Sequence, residues 1–533
     1  HKILRDYNVS NCITKDNPEI SVIITFHNQE KFISDCLGCF YRQTIKVPYE
    51  IIVIDDDSQD NTNKVIENEY KEVRYFRVDF HNSGKSRNFG FKQSKGKYIC
   101  YFDGDDFPYP QYLEKLYKRL KDNPEYNVSY ARFDYEEAGL EKCLIPSCNH
   151  FEWSESWIKY ACIVNTPTMI KREIAEKAKW ETKLSSYEDY AFNLELMKAG
   201  AKGIPVRERL WYYRIHNESK WGSGVAFQNR LKDREYIRKK YKLKDIEVET
   251  TFVSLIATDN VLDEYFNSVS KIKMPRDKIH YFAFIDSDDE KLIDIVRSKV
   301  EPMGFLSVRI FFTNEKNLFY STNFTERAMR VARNEKTIIR DIGKYNATTE
   351  FCFITEDDTI IPSDAYEKMI KRMRKNKNLV YLTGVETSRG SDAHIGISIL
   401  EEENGEIVYR IFPPYQKTGI MKVNSGGWYC WFGRPEKIAK IPFRCIEDGR
   451  YLGPDALMVF DLNKAGYDTE ADWSIQCKHY DPYGKKWLEA SDCNGWEVKY
   501  SRIGDKKYKA EMIRLLKINT KICQKKSKKK QLV

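Results

Sequence analysis

The run Tyr101-Phe102-Asp103-Gly104-Asp105-Asp106 ends an apolar stretch in three carboxylates within four residues. Like charges forced together at the end of a buried strand cost stability unless a cation neutralises them. A divalent metal is therefore the natural partner, and oxygen ligands favour Mg²⁺ or Mn²⁺; an imidazole nitrogen from His216 tips the balance toward Mn²⁺. The ordinary alternative is an exposed acidic turn, since Asp and Gly are common turn residues. A second acidic run, Asp55-Asp56-Asp57-Ser58-Gln59-Asp60, follows the apolar residues Ile51–Ile54. A carboxylate there can accept hydrogen bonds from a nucleobase imide or from ribose hydroxyls, while Ser58 or Asp60 also suits the N-cap of a helix over 61–69. The polar loop Asn82–Gly90 enters a helix and carries Lys85 and Arg87, cations that can meet a diphosphate. It lacks the Gly-x(4)-Gly-Lys-Ser/Thr order of a P-loop, which excludes that NTPase motif. Glu188 and Asp189 open a helix, where ionised carboxylates are favoured; Asp189 either caps it or takes a proton from an attacking hydroxyl.

These residues need a frame that brings them together. From Glu19 the chain alternates apolar runs with helical patterns: strands at 20–25, 50–55, 73–78 and 98–102, helices at 30–43, 61–69 and 110–122. This is a βαβ rhythm, and an open α/β sheet binds its ligand at the carboxyl ends of its strands. Those ends carry Thr25-Phe26-His27-Asn28, Asp55-Asp56-Asp57 and Asp103-Gly104-Asp105-Asp106. A Lys/Arg/Glu-rich stretch over 230–249 reads as a helical connector, and the alternation restarts near 252 with further strands at 281–285, 307–312 and 351–354.

The two halves repeat one another. Asp105 stands nine residues before Glu114-Lys115, as Asp358 does before Glu367-Lys368; Asp189 stands eleven before Gly200, as Asp455 does before Gly466; His216 and His479 close the two series. An ordered series of acid, helix, acid, Lys-Ala-Gly and His argues for a duplicated domain.

Length and composition agree with this. At 533 residues, with 41% hydrophobic and 31% charged residues, the chain is neither one small module nor a disordered, collagenous or disulfide-stapled protein. The net charge of +9 is modest and partly sits in the Lys525–Lys530 tail, so the surplus permits an acidic partner but reads first as a solvated terminus. Thirteen cysteines without a regular framework, and no apolar run near the ~20 residues of a membrane span, point to a reducing, cytoplasmic setting. Cys36-Leu37-Gly38-Cys39 falls on an apolar-periodic helix, so buried thiols rather than zinc are expected. The basic pattern over 506–519 suits either packing on the second domain or peripheral contact with a membrane surface. Trp153, Trp157, Trp211, Trp428 and Trp431 stack on sugars or bases or, more commonly, fill cores. Of these, Trp428, after Gly426-Gly427, is the better candidate for acceptor contact because glycines permit close backbone approach.

In order, Ser21–Asn28, Gln43-Thr44, Ile54–Ser58, Arg87-Asn88, Asp103-x-Asp105, Glu188-Asp189 and Tyr213–Ser219 resemble the family 2 glycosyltransferases of GT-A fold over about residues 19–222. The resemblance implies inverting transfer from a nucleotide sugar, usually UDP-linked. It implies donor contacts at Thr25, His27, Asn28, Asp56 (the base), Arg87, Asn88 and Asp103. It implies Mn²⁺ or Mg²⁺ at Asp105 and His216, Asp189 as general base, and Glu188 on the acceptor side. Asp57 departs from the glycine common at that position. The second half resembles the scaffold more distantly, with Glu356-x-Asp358 for Asp-x-Asp and Pro454-Asp455 for Glu-Asp. There it implies metal at Asp358 and His479, a base at Asp455, and donor contacts at Asp286, Arg330, Arg333, Asn334 and Glu356.

The expected architecture is α/β, two tandem GT-A, Rossmann-like and mostly parallel domains: an extension at 1–18, a first domain at 19–229, the connector at 230–249, a second domain at 250–490 and a helix with basic tail at 491–533. The expected function is metal-dependent, bifunctional sugar transfer to hydroxyls of a glycan. The alternatives are transfer to a modified nucleic acid base, suggested by charge and aromatics alone, and a glycan-binding scaffold with one or both sites inactive.

Overall fold

The computed structural model describes residues 12–135, 152–214, 226–243, 248–313, 338–339, 349–387, 395–403, 406–413, 415–441, 454–482, 484–492 and 496–499. His216, Arg330, Arg333, Asn334 and the basic C-terminal segment lie outside them. The chain divides into two compact α/β units, 1–245 and 246–533.

In the first unit the elements run β1 (Ile20–Phe26), α1 (Ile33–Phe40), β2 (Tyr49–Asp56), α2 (Thr62–Glu69), β3 (Arg74–Val78), α3 (Ser83–Gln93), β4 (Tyr98–Asp103), β5 (Phe107–Pro108), α4 (Tyr112–Asp122), β6 (Val128–Tyr135), α5 (Glu155–Ile158), β7 (Thr168–Lys171), α6 (Arg172–Ala175), α7 (Glu188–Lys198), β8 (Gly203–Tyr213) and α8 (Ala226–Lys240). The eight strands form one sheet in the order β3-β2-β1-β4-β7-β6-β8-β5. β1 and β2 are near-continuous apolar runs because, as central strands, they are buried on both faces. α4 buries Leu113, Leu116 and Leu120 along one stripe at spacings of three and four, the face that packs on the sheet.

The sheet is mixed, with four parallel and three antiparallel neighbour pairs, so parallel pairing predominates as expected. β7 runs antiparallel to both β4 and β6. At four residues, β7 is too short to announce itself by alternation, and an apolar run carries no sign of strand direction. The 82–90 segment also differs from a loop: α3 begins at Ser83, with Asn82 as N-cap accepting from Lys85 N at 2.9 Å. The stretch expected as a connector holds α8, whose Ile237 is fully buried and whose Lys240 pairs with Glu181 of the first unit.

The second unit contains β9 (Thr250–Ile256), β10 (Ile279–Asp286), β11 (Ser307–Thr313), β12 (Phe351–Glu356), β13 (Thr359–Ile360), β14 (Leu379–Val385), β15 (Ile397–Glu403), β16 (Glu406–Phe412), β17 (Ile420–Lys422), β18 (Ser425–Gly426), β19 (Cys430–Gly433), β20 (Asp468–Gln476), β21 (Lys478–Asp481), β22 (Lys486–Glu489) and β23 (Trp496–Lys499). Its main sheet, β11-β10-β9-β12-β19-β14-β20-β17, repeats the first unit's pattern of parallel and antiparallel neighbours, but its edge strand differs: β17 precedes β19 in the chain, whereas β5 directly follows β4. The register repeats as well. Ile20 pairs with Tyr98 and Thr25 with Asp103; Thr250 pairs with Phe351 and Leu255 with Glu356, so Asp103 and Glu356 occupy equivalent places. Asp56 and Asp286 are equivalent by the same reasoning, being the last paired residues of β2 and β10 against β3 and β11. Two small sheets, β13-β21-β22 and β18-β15-β16-β23, are added to the second unit.

Trp157, Trp211, Trp428 and Trp431 are all 2% exposed or less. They fill cores, the more common use of tryptophan, and Trp428 is buried with the rest. Cys36 and Cys39 lie on α1 as free thiols, Cys36 buried.

Candidate active site

In the first unit β1, β2 and β4 are adjacent and parallel, so Thr25, Asp55, Asp56 and Asp103 come to one edge of the sheet. Asp55 and Asp56 divide the labour there. Asp55 is sealed, accepting from Ser58 N at 3.0 Å and Tyr75 Oη at 2.7 Å. Asp56 Oδ1 accepts from the backbone N–H groups of Phe80 and His81 at 2.7 and 2.8 Å, and Oδ2 from Asn82 N and Ser86 Oγ at 2.8 and 2.9 Å. These four bonds tie β2 to the start of α3, so the residue expected to read a base is also a buried strut. Asp57 adopts φ +57°, the left-handed conformation that glycine takes most readily and Asp tolerates. His27 and Asn28 are exposed beside it: His27 Nδ1 bonds Asp56 O at 2.6 Å, and Asn28 Oδ1 accepts from Gln59 N at 2.7 Å.

Arg87 projects from α3 to Asp103, with Nη2 at 2.6 Å from Oδ1. The guanidinium lies over the Trp180 ring at 4.3 Å, and that ring stacks on Phe192 at 4.0 Å. Burial works against the cation, but Asp103, Asp189 and Glu188 outweigh it and raise its pKa. Asn88 is committed elsewhere, exchanging amide hydrogen bonds with the backbone of Trp180 at 2.9 and 3.1 Å. It braces the Trp180 segment.

Gly104 permits the tight Asp-Gly-Asp turn: a Cβ there would lie 2.4 Å from the Phe26 ring. Beyond it, Asp106 is buried and accepts from Arg214 N at 2.9 Å. Burial, then Asp105 and Asp103, push its pKa well above the usual carboxylate range. That mutual repulsion at one strand end is what a divalent cation would relieve, and the donors are carboxylate oxygens, so Asp103 and Asp105 fit Mg²⁺ or Mn²⁺ in chemistry. Among the described residues no group of three or more His, Cys, Asp or Glu is arranged as a preformed metal cage.

Asp189 lies in the first turn of α7, where Thr166 Oγ1 donates to Oδ1 at 2.7 Å. Burial raises its pKa to about 6; Arg87 and the Thr166 hydrogen bond oppose the shift, while Asp103 and Glu188 add to it. Glu188 is buried and accepts from Ser83 Oγ at 2.8 Å. Asp103, Arg87, Glu188 and Asp189 therefore form one electrostatically coupled group.

In the second unit the structure brings Asp358 and His479 together. His479 Nε2 is 3.5 Å from Asp358 Oδ2, and Nδ1 is 2.6 Å from the Thr387 carbonyl oxygen. The Thr387 carbonyl holds Nδ1 and so orients the ring with Nε2 toward Asp358, an orientation that suits metal ligation. Glu386, which carries no motif, stands 3.4 Å from His479 Nδ1 and accepts from Thr359 Oγ1 at 3.2 Å. Burial drives its pKa up to about 8, against His479 and with Glu356. Asp455 opens the helix Pro454–Lys464, and a Cβ on Gly427 would lie 3.6 Å from its Oδ2. The glycine loop thus approaches the expected base by its backbone, while Trp428 turns inward against Trp431, ring centres 5.2 Å apart.

Residues 21–177 match the family model described as Glycosyl transferase family 2. The chain is 28% identical over 221 residues to an uncharacterized glycosyltransferase of Methanocaldococcus jannaschii, covering 40% of this chain and 76% of that one. It is 25% identical over 390 residues to a poly(ribitol-phosphate) beta-glucosyltransferase of Bacillus spizizenii, covering 69% of this chain and 58% of the relative. It is 31% identical over 215 residues to the poly(ribitol-phosphate) beta-N-acetylglucosaminyltransferase TarP of Staphylococcus aureus, covering 38% and 63%. The chain thus spans about six tenths of the last two. A solved structure of S. aureus TarS with UDP-GlcNAc aligns at 18% identity and TM-score 0.36, over 43% of this chain and 68% of that one. No described helix is long and apolar enough to cross a membrane.

Proposed function

We propose, for a chain whose first unit carries a family 2 glycosyltransferase domain and whose class is nucleotide-sugar glycosyltransferase, inverting and metal-dependent transfer of a sugar from a UDP-linked donor to a hydroxyl of a glycan or polyol-phosphate chain. The observation that carries it is the coupled group Asp103, Arg87, Glu188 and Asp189 at the carboxyl edge of the first sheet. Relatives named for poly(ribitol-phosphate) support the acceptor class.

In this reading Asp105, with Asp103 beside it, would hold Mn²⁺ or Mg²⁺ together with His216. When bound, the cation offsets charge on the leaving diphosphate. Arg87 holds Asp103 by its Nη2–Oδ1 hydrogen bond and supplies a fixed positive field at the same edge. Thr166 holds Asp189 by Oδ1, and Oδ2 takes the proton of the acceptor hydroxyl as its oxygen attacks the anomeric carbon. The carbon–oxygen bond to the acceptor forms as the bond to the diphosphate oxygen breaks on the opposite face, which inverts the configuration. Thr25, His27, Asn28 and Asp56 line the donor edge, with Asp56 acting first through the fold of the 80–82 turn.

The second unit is read as a second transferase site, with Asp358 and His479 on the metal, Asp286 and Glu356 toward the donor and Asp455 as base. Its support is the repeated register and the Asp358–His479 approach. The test is release of nucleoside diphosphate from UDP-sugars by wild type, Asp105→Ala and Asp189→Ala with Mn²⁺: loss in both variants supports the first site, and unchanged turnover in either overturns it.

A further inference from the structure

We propose that Asp233, on α8, is a positioning residue for Asp189. This rests on reading Asp189 as the base. The segment 180–187 joins the two halves of the first site: Trp180, the shelf under Arg87, begins it, and Glu188-Asp189 follow its end. Helix α8 grips that segment at both ends. Tyr236 Oη donates to Glu181 Oε2 at 3.1 Å and Lys240 pairs with the same oxygen, while Glu181 Oε1 accepts from the backbone N–H groups of Thr182 and Lys183.

At the other end a single oxygen, Asp233 Oδ2, accepts four hydrogen bonds: Ser185 N at 3.0 Å, Ser185 Oγ at 2.8 Å, Ser186 N at 2.8 Å and Ser186 Oγ at 2.9 Å. The residue that follows, Tyr187, is held at φ +59°. A bulky side chain in the left-handed region is costly and persists only where its surroundings over-determine it. The four bonds supply that constraint immediately before the strained residue, and the turn delivers Glu188 to Ser83 and Asp189 to Thr166. Released from Asp233, Tyr187 would relax toward ordinary backbone, and the carboxylate behind it would swing away from the point where a hydroxyl must meet it. Displacements of this size near a reacting group cost rate rather than donor affinity.

The test compares Asp233→Ala with Asp233→Asn, whose amide oxygen can occupy the Oδ2 position and accept the same four bonds. The measurements are kcat, donor KM, UDP affinity and melting temperature. The expected result is a kcat about 10-fold or more lower for Asp233→Ala, with donor KM and UDP affinity unchanged, and recovery toward wild type in Asp233→Asn. Wild-type kcat in Asp233→Ala overturns the proposal, as does equal damage in Asp233→Asn, because charge and not the accepting oxygen would then matter. Should Asp233→Ala fail to fold, the double variant Ser185→Ala, Ser186→Ala removes two of the four donors and must lower kcat in the same way. Full activity in Asp189→Ala instead overturns the reading of the base, whatever Asp233 does.

Discussion

Arg87 Nη2 lies 2.6 Å from Asp103 Oδ1 in a part-buried pair, while Nε and Nη1 of the same guanidinium are buried with no hydrogen-bond partner among the described residues. An arginine in this state is poised to donate to further anionic oxygens, because satisfying a buried charged donor is strongly favourable. Arg87→Lys keeps the charge and loses the planar fork, so kcat/KM for the donor is expected to fall about 10-fold or more. Arg87→Ala is expected to destabilise the first unit by about 3 kcal/mol, since Asp103 is left uncompensated. Steady-state kinetics and denaturant titration check the two halves of this prediction, and an Arg87→Lys enzyme with wild-type kcat/KM contradicts the first.

Asp189 gives the expected pH dependence. In the proposed role of base it must be ionised, and burial, Asp103 and Glu188 hold its pKa at about 6 against Arg87 and Thr166. Lowering the pH through that value protonates it, so kcat/KM is expected to be level above about pH 7 and to drop roughly tenfold per unit well below 6. A profile that stays flat to pH 5 removes Asp189 from the role.

Asp56 is expected to matter for stability before it matters for binding. Its four hydrogen bonds join β2 to the 80–86 segment, and Asp56→Ala leaves three backbone N–H groups without their acceptor. A loss of about 3 kcal/mol is expected from chemical denaturation. A variant as stable as wild type but unable to bind UDP would instead make Asp56 a pure ligand contact.

Chelation separates metal chemistry from the rest. With EDTA, turnover is expected to vanish and to return with Mn²⁺ or Mg²⁺. Repulsion among Asp103, Asp105 and Asp106 should be relieved by the cation, so Mn²⁺ is also expected to raise the melting temperature of wild type and to lose that effect in Asp105→Ala. Undiminished turnover in EDTA contradicts the assignment.

Much of this was legible in the sequence because strand-ending carboxylates and apolar runs are local signals. The strands at 20–25, 50–55 and 98–102 extend by one residue or so in the structure, and the repeat anticipated that Asp358 and His479 would meet. Long-range partners left no such trace. Asp233 acquires its place through Ser185 and Ser186, 48 and 47 residues away. Glu386 acquires its place through His479, far along the chain. Exposure is equally unreadable from a motif, which is why Trp428 suggested a platform and is instead buried against Trp431. The loop expectation for 82–90 failed because glycine and serine suggest irregular backbone, whereas Asn82 caps a helix that starts at once.

The central claim, two nucleotide-sugar sites of which the first carries the family 2 chemistry, is tested most directly by nucleoside diphosphate release. Wild type, Asp105→Ala and Asp358→Ala are assayed separately across a panel of nucleotide sugars with Mn²⁺ or Mg²⁺. The predicted result is that each substitution abolishes turnover of a different donor while sparing the other. Turnover that survives Asp105→Ala with every donor contradicts the account at its base, and turnover lost only in Asp105→Ala contradicts the second site.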